Sequence, residues 1–107
     1  MEVSRSDRRY AYEGVVDLRK GALGLRALVG KPEEDALYLF SNRRRNLLKL
    51  LSVDKWGTWA GTRRLHHNHF DWPEDPRGRQ KLTAQELACL VMGGDLKKLR
   101  LKELLAG

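Results

Sequence analysis

The sequence predicts an α+β fold: a small antiparallel β-meander sheet with one helix after the first strand and helices at the C-terminus. Three observations carry this. Runs of β-formers between residues 36 and 72 are separated by short polar turns, as expected for a meander. Leu18, Ala22, Leu25 and Val29 follow an early strand-like stretch at offsets of four, three and four, one face of a helix. Thr83, Ala84, Gln85 and Glu86 form a capping box in front of Leu87, Leu90 and Val91.

Each element has a local cause. Residues 1–9 are polar and are expected to form a flexible N-terminus. Residues 10–16 read as a strand on the strength of Tyr10, Tyr12, Val15 and Val16, with Gly14 as a candidate bulge. Asp17 is placed to cap the helix that follows, and Gly30 with Pro32 to stop it. Residues 36–41 read as the second strand, 42–45 as a turn, and 46–54 as the return strand. Residues 58–65 and 69–72 continue the meander across turns at 54–57 and 66–68. A polar loop spans 73–81. After the capped helix, Gly93 and Gly94 end it, and Asp95 caps a last helix carrying Leu96, Leu99, Leu101, Leu104 and Leu105. The expected organisation is one domain over residues 10–95, followed by a helical tail over 96–107. Trp59 and Phe70 are expected in the core, whereas Trp56 sits in a turn.

The 107 residues suit one domain, with 41% apolar and 33% charged residues: a modest core under a heavily charged surface. A second copy or a partner could cover apolar surface that so small a core leaves out. The lone cysteine, Cys89, excludes an intramolecular disulfide and a Cys-based zinc finger. Its apolar helical setting reads as a small buried hydrophobe. The N-terminus has no apolar stretch of the signal-peptide kind and no run reaches transmembrane length, so a cytoplasmic protein is the expectation.

Charge is distributed unevenly. The net charge of +7 is concentrated in residues 42–70, where seven Lys and Arg face one Asp. Residues 1–41 carry seven cations against seven carboxylates, and residues 71–107 carry seven against six. Clustered positive charge is the footprint of a polyanion partner. Arg43, Arg44 and Arg45 fall in the expected turn, Lys49 in the strand behind it, and Arg63 and Arg64 in the next. Strand alternation allows only one of Arg63 and Arg64 to share a face with Lys49. The planar fork of Arg bonds two phosphate oxygens at once, and such contacts hold nucleic acid without reading its sequence. Arg19 and Lys20, behind the Asp17 cap, form a second-tier phosphate candidate at a helix N-terminus. The competing reading is a solvated turn that blunts a sheet edge.

His66, His67 and His69, with Asp71 nearby, invite comparison with metal-dependent His-Asn-His nucleases. Strand–turn–strand geometry would splay the three rings apart, and no Cys pair or second His cluster completes a site. No Gly-rich phosphate loop or nucleophile elbow is present. Neither a metal nor another cofactor is expected, and no catalytic residue.

In the order and spacing of these pieces, the chain resembles the TnpB-type accessory protein encoded by the second open reading frame of insertion sequences of family sixty-six. The matching features are Gly14, Asp17, Arg19, Lys20 and Gly21, then Gly24 and Leu25; Leu39, Phe40, Arg43 and Arg44; Lys49; Trp59 with Arg63, Arg64 and Leu65; Phe70, Trp72 and Pro73; and Leu82, Thr83 and Leu87 through Gly93 and Asp95. The His66 to His69 stretch departs from the family's acidic or Gly-containing turn. The resemblance implies a non-catalytic accessory role in DNA transposition beside a separate transposase. The transposon DNA is then the expected partner, through Arg43, Arg44, Arg45, Lys49, Arg63, Arg64, Arg19 and Lys20. An alternative is an adaptor that binds the transposase or another protein of the element without touching DNA. Phosphate binding is read from charge and is not implied by the resemblance.

Overall fold

The computed structural model describes residues 8–73 and 79–106, with the side chains of residues 13–15, 20 and 22 excepted. A single five-stranded sheet, ordered β4-β3-β2-β1-β5, is built from β1 (Arg9–Val15), β2 (Leu37–Ser41), β3 (Leu47–Val53), β4 (Thr58–Arg64) and β5 (Arg79–Lys81). Helices α1 (Gly21–Val29), α2 (Ala84–Val91) and α3 (Leu96–Ala106) complete the α+β fold. Among the described residues, no helix is long and apolar enough to cross a membrane.

The meander is formed by β2, β3 and β4, which pair antiparallel in sequence order. The first strand enters differently: β1 lies parallel to β2, because the helical crossover between them carries the chain back to its starting end. Its register slips between Ala11 and Val15, a stretch that includes Gly14. Residues 69–72 form no strand, contrary to the expectation. Instead Trp72 sends its indole N–H to the carbonyl of Tyr12 at 2.7 Å, pinning this segment across the sheet. The expected loop at 73–81 ends in β5, which pairs antiparallel with β1; residues 74–78 lie outside the described part. Of the expected flexible stretch 1–9, residues 1–7 also lie outside it, while Arg9 opens β1.

Alternation along the strands sorts side chains into two cores. On one face Ala11, Leu39, Leu48, Phe70, Trp72 and Leu82 meet Leu90 of α2. On the other, Tyr38, Phe40 and Leu51 meet Leu18 and Leu25 at α1. Tyr10 stacks on Tyr38 and Tyr12 on Phe40, with centroids 5.7 and 4.9 Å apart. The expected helix from Leu18 is broken in two: a 3-10 turn over Leu18–Lys20, then α1. Gly21 makes the break at φ 73, a left-handed conformation that costs glycine nothing. Asp17 caps the turn by accepting the Arg19 N–H at 3.1 Å. Gly30 ends α1 as expected, at φ 79.

The capping box at α2 forms in full. Thr83 Oγ1 accepts the Glu86 N–H at 3.1 Å, and Glu86 accepts the Thr83 N–H at 2.9 Å. Asp95 caps α3 through the Lys98 N–H, and Leu96 is buried beneath that turn. The Arg100 guanidinium returns to Glu86 at 2.5 Å and to Gln80, so the front of α3 is tied to both α2 and β5. Its far end presents Leu104 and Leu105 to solvent. Cys89 is half-buried on α2. Burial raises its pKa, and the carboxylates of Asp71, Asp95 and Glu86 raise it further, which keeps the thiol protonated.

Candidate nucleic-acid interface

The turn between β2 and β3 divides the arginine triplet. The Asn42 carbonyl accepts the Arg45 N–H at 3.1 Å, and the Asn42 side chain accepts the N–H groups of Asn46 and Leu47, each at 3.2 Å. Arg45 takes φ 56, a left-handed conformation that a non-glycine residue seldom adopts. Its carbonyl accepts the Phe70 N–H at 2.6 Å. Its guanidinium stands 5.4 Å from the ring centre of Trp72, a cation–π contact on a core residue. Arg43 and Arg44 project from the turn into solvent. Three consecutive arginines thus have different settings, and the backbone reversal at Arg45 is the cause.

Register separates Arg63 from Arg64. Leu47 pairs with Arg64, Leu48 with Arg63 and Lys49 with Thr62. Odd positions of β3 and even positions of β4 therefore share the α1 face. Arg64 joins Lys49 there, as a diagonal neighbour roughly 7–8 Å away. Arg63 falls on the opposite face with Leu48.

On the α1 face, the short helix covers the middle of the sheet and stops before β4. What remains is an open groove of about 740 Å³, lined by Val16, Asp17, Leu18, Arg19, Asn42, Arg43, Leu47, Lys49, Thr62 and Arg64. Four of the expected residues therefore meet in one place: Arg19, Arg43, Lys49 and Arg64. They come from the 3-10 turn, the β2–β3 turn, β3 and β4. Arg44, Arg45 and Arg63 are not among the lining residues, and the Lys20 side chain lies outside the described part. Asp17 is the one carboxylate lining the groove. It grips Arg19 through two bonds, at 2.9 and 3.0 Å, and this partner raises the Arg19 pKa further. Sequence reasoning did not single out Thr62 or Asn42 for this groove. The signal for Thr62 was the two-residue period that also selects Arg64; that for Asn42 was its place at the head of a turn.

The cations are close enough to repel but wet enough to tolerate it. Two unit charges ~8 Å apart in water-like surroundings cost about 0.5 kcal/mol. A phosphate lowered among them would convert those repulsions into attractions. Apolar atoms of Val16, Leu18 and Leu47 floor the groove, so an anion there would lose part of its hydration on one side and meet the cations on the other.

The aromatic expectations divide. Phe70 is 1% exposed and belongs to the core, but Trp59 is 56% exposed and does not. Its strand is the outer edge of the sheet, and among the described residues no helix reaches over it. Trp56, in the following turn's expected place between β3 and β4, is 85% exposed with Lys55 Nζ 5.1 Å from its ring centre. His66, His67 and His69 lie exposed along the bend after β4. Among the described residues, no three His, Cys, Asp or Glu side chains gather in a way that could hold a metal ion.

A small α+β sheet protein with a basic groove beside an open edge is the class that this fold and site define. The chain belongs to the IS66 Orf2 like protein family, whose model matches residues 7–101. It is therefore one of the accessory proteins of insertion sequences, with a place in transposition. It is also 32% identical over 87 residues to the uncharacterized protein y4hO of Sinorhizobium fredii (strain NBRC 101917 / NGR234), which covers 77% of this chain and 76% of the relative. No solved structure matches the chain.

Proposed function

We propose that this protein is a non-catalytic accessory of transposition that binds nucleic-acid phosphates in the basic groove and so assists a separate transposase on transposon DNA. The observation that carries the reading is the convergence of Arg19, Arg43, Lys49 and Arg64, from four separate places in the chain, on one open groove with a single carboxylate. Cations scattered for solubility alone have no need to converge. The groove offers forked donors suited to phosphate, and such contacts position a protein without selecting sequence.

Mobility shifts across salt test this, with transposon-end and random duplexes side by side. Each phosphate contact contributes about 0.9 to the slope of log affinity against log salt. Arg43→Ala, Lys49→Ala and Arg64→Ala together should flatten that slope by roughly 2–3. An unchanged slope would remove the groove from the interface. No shift with any duplex, together with capture of the transposase by nuclease-treated protein, would replace this reading with that of a protein adaptor.

A further inference from the structure

The outer edge of the sheet is open, and its backbone is ready to pair. The N–H of Leu65 donates to Asn46 at 2.9 Å, and the N–H of Asn42 to Leu47 at 3.4 Å. Antiparallel ladders alternate, so Leu48, Leu50 and Ser52 of β3 direct their polar backbone groups to Arg63, Gly61 and Trp59 of β4. The groups of Thr58, Ala60, Thr62 and Arg64 then point away from the sheet. All seven residues of β4 are exposed. Several devices that usually protect an edge are missing: β4 contains no proline, its ladder with β3 runs without a bulge, and among the described residues no helix covers it. Its only charges are Arg63 and Arg64, both at one end.

We propose that β4 pairs antiparallel with β4 of a second copy of this chain, about a two-fold axis at Gly61, joining two five-stranded sheets into one. The seven residues select this register, because Gly61 is the midpoint of the strand and pairing there uses its whole length. It sets Trp59 against Arg63 of the other copy, Ala60 against Thr62 and Thr58 against Arg64. No arginine then faces an arginine directly. Trp59 and Arg63 fall at non-hydrogen-bonded positions, where side chains approach most closely and a guanidinium can lie on an indole. That contact gives a role to a tryptophan the monomer leaves 56% exposed. Parallel pairing in register would instead bring Arg63 onto Arg63 and Arg64 onto Arg64. At the axis, a Cβ built on Gly61 meets nothing within 4 Å, so there is room for a side chain above the sheet at this position. A two-fold axis perpendicular to the sheet keeps like faces together. Both basic grooves would then open on the same side, related by the symmetry that suits a pair of inverted DNA segments.

A seven-residue strand pair covers less than the ~1,200 Å² of a standard stable interface, so the dimer is weak and concentration-dependent. Sedimentation equilibrium from about 1 μM to 1 mM, at ~0.5 M salt to screen two chains of +7, should show a monomer–dimer equilibrium. Ala60→Pro removes an outward N–H without touching the β3 ladder, and should weaken the dimer at least tenfold with the circular dichroism unchanged. Gly61→Cys in a Cys89→Ala background provides a readout that does not depend on the proline variant folding. The two thiols meet at the axis, and mild oxidation should give a covalent dimer, whereas Thr58→Cys in the same background should not. A wild-type chain that stays monomeric to 1 mM would overturn the proposal. So would a dimer indifferent to a folded Ala60→Pro variant, or Gly61→Cys failing to cross-link.

Discussion

Two strands of the same sheet, β2 and β4, lie one strand apart and behave oppositely. Every residue of β2, Leu37–Ser41, is buried, and every residue of β4, Thr58–Arg64, is exposed. Both are short and antiparallel to β3. Position makes the difference: β2 lies at the centre of the sheet between α1 and α2, whereas β4 lies beyond the reach of either helix. The centre holds the fold together. The edge holds Arg64 of the groove and the exposed backbone through which we propose a second copy binds. Stability and interaction are thus assigned to different strands, separated by β3.

The largest effect should come from the buried strand. Phe40 is fully buried and stacks on Tyr12, so Phe40→Ala should cost about 3–5 kcal/mol in urea unfolding. Trp59→Ala on the edge should cost less than about 1 kcal/mol. Equal losses would erase the contrast between the strands.

A smaller effect tests how the helical side is fastened. Burial alone would raise the pKa of Glu86, but the Thr83 N–H and the Arg100 guanidinium outweigh it, and the net shift is downward. A carboxylate with a lowered folded pKa contributes stability above its unfolded value of about 4.3, and loses it as pH falls through the folded value. Glu86→Gln should therefore cost about 1 kcal/mol near pH 7, and the gap to wild type should close as pH falls through the folded value. A gap that persists in acid would mean that packing, and not charge, holds α3 to α2.

The smallest effect separates two members of the arginine triplet. Arg45→Ala should lower stability by about 0.5–1 kcal/mol through its lost contact with Trp72, and leave the salt dependence of DNA binding unchanged. Arg43→Ala should do the reverse: stability within about 0.5 kcal/mol of wild type, and a salt slope flatter by about 0.9. Swapped phenotypes would mean that Arg45, and not the groove's Arg43, meets DNA.

Much of this was legible in the residues. The capping box at Thr83, the stop at Gly30 and the polar turn after Ser41 are local devices, and each acts through neighbours within four residues. The alternation rule also held: one of Arg63 and Arg64 joins Lys49. Three features were not legible. The parallel entry of β1 depends on where a crossover returns. The reversal at Arg45 places a non-glycine residue at positive φ, where sequence gives little warning. The exposure of Trp59 contradicts its apolar character, because burial depends on what lies opposite, and none of the described helices packs over this edge strand.

By itself, the sequence determined the three meander strands, the caps and stops of the main helices, and that positive charge gathers between residues 42 and 70. Those properties come from capping, periodicity and composition, which operate over a few residues. Only the tertiary structure decided the strand order, which two cores the strands serve, and which four cations share a groove. Those depend on register and on the length of a helix that stops before β4, and both are set by contacts between residues far apart in the chain.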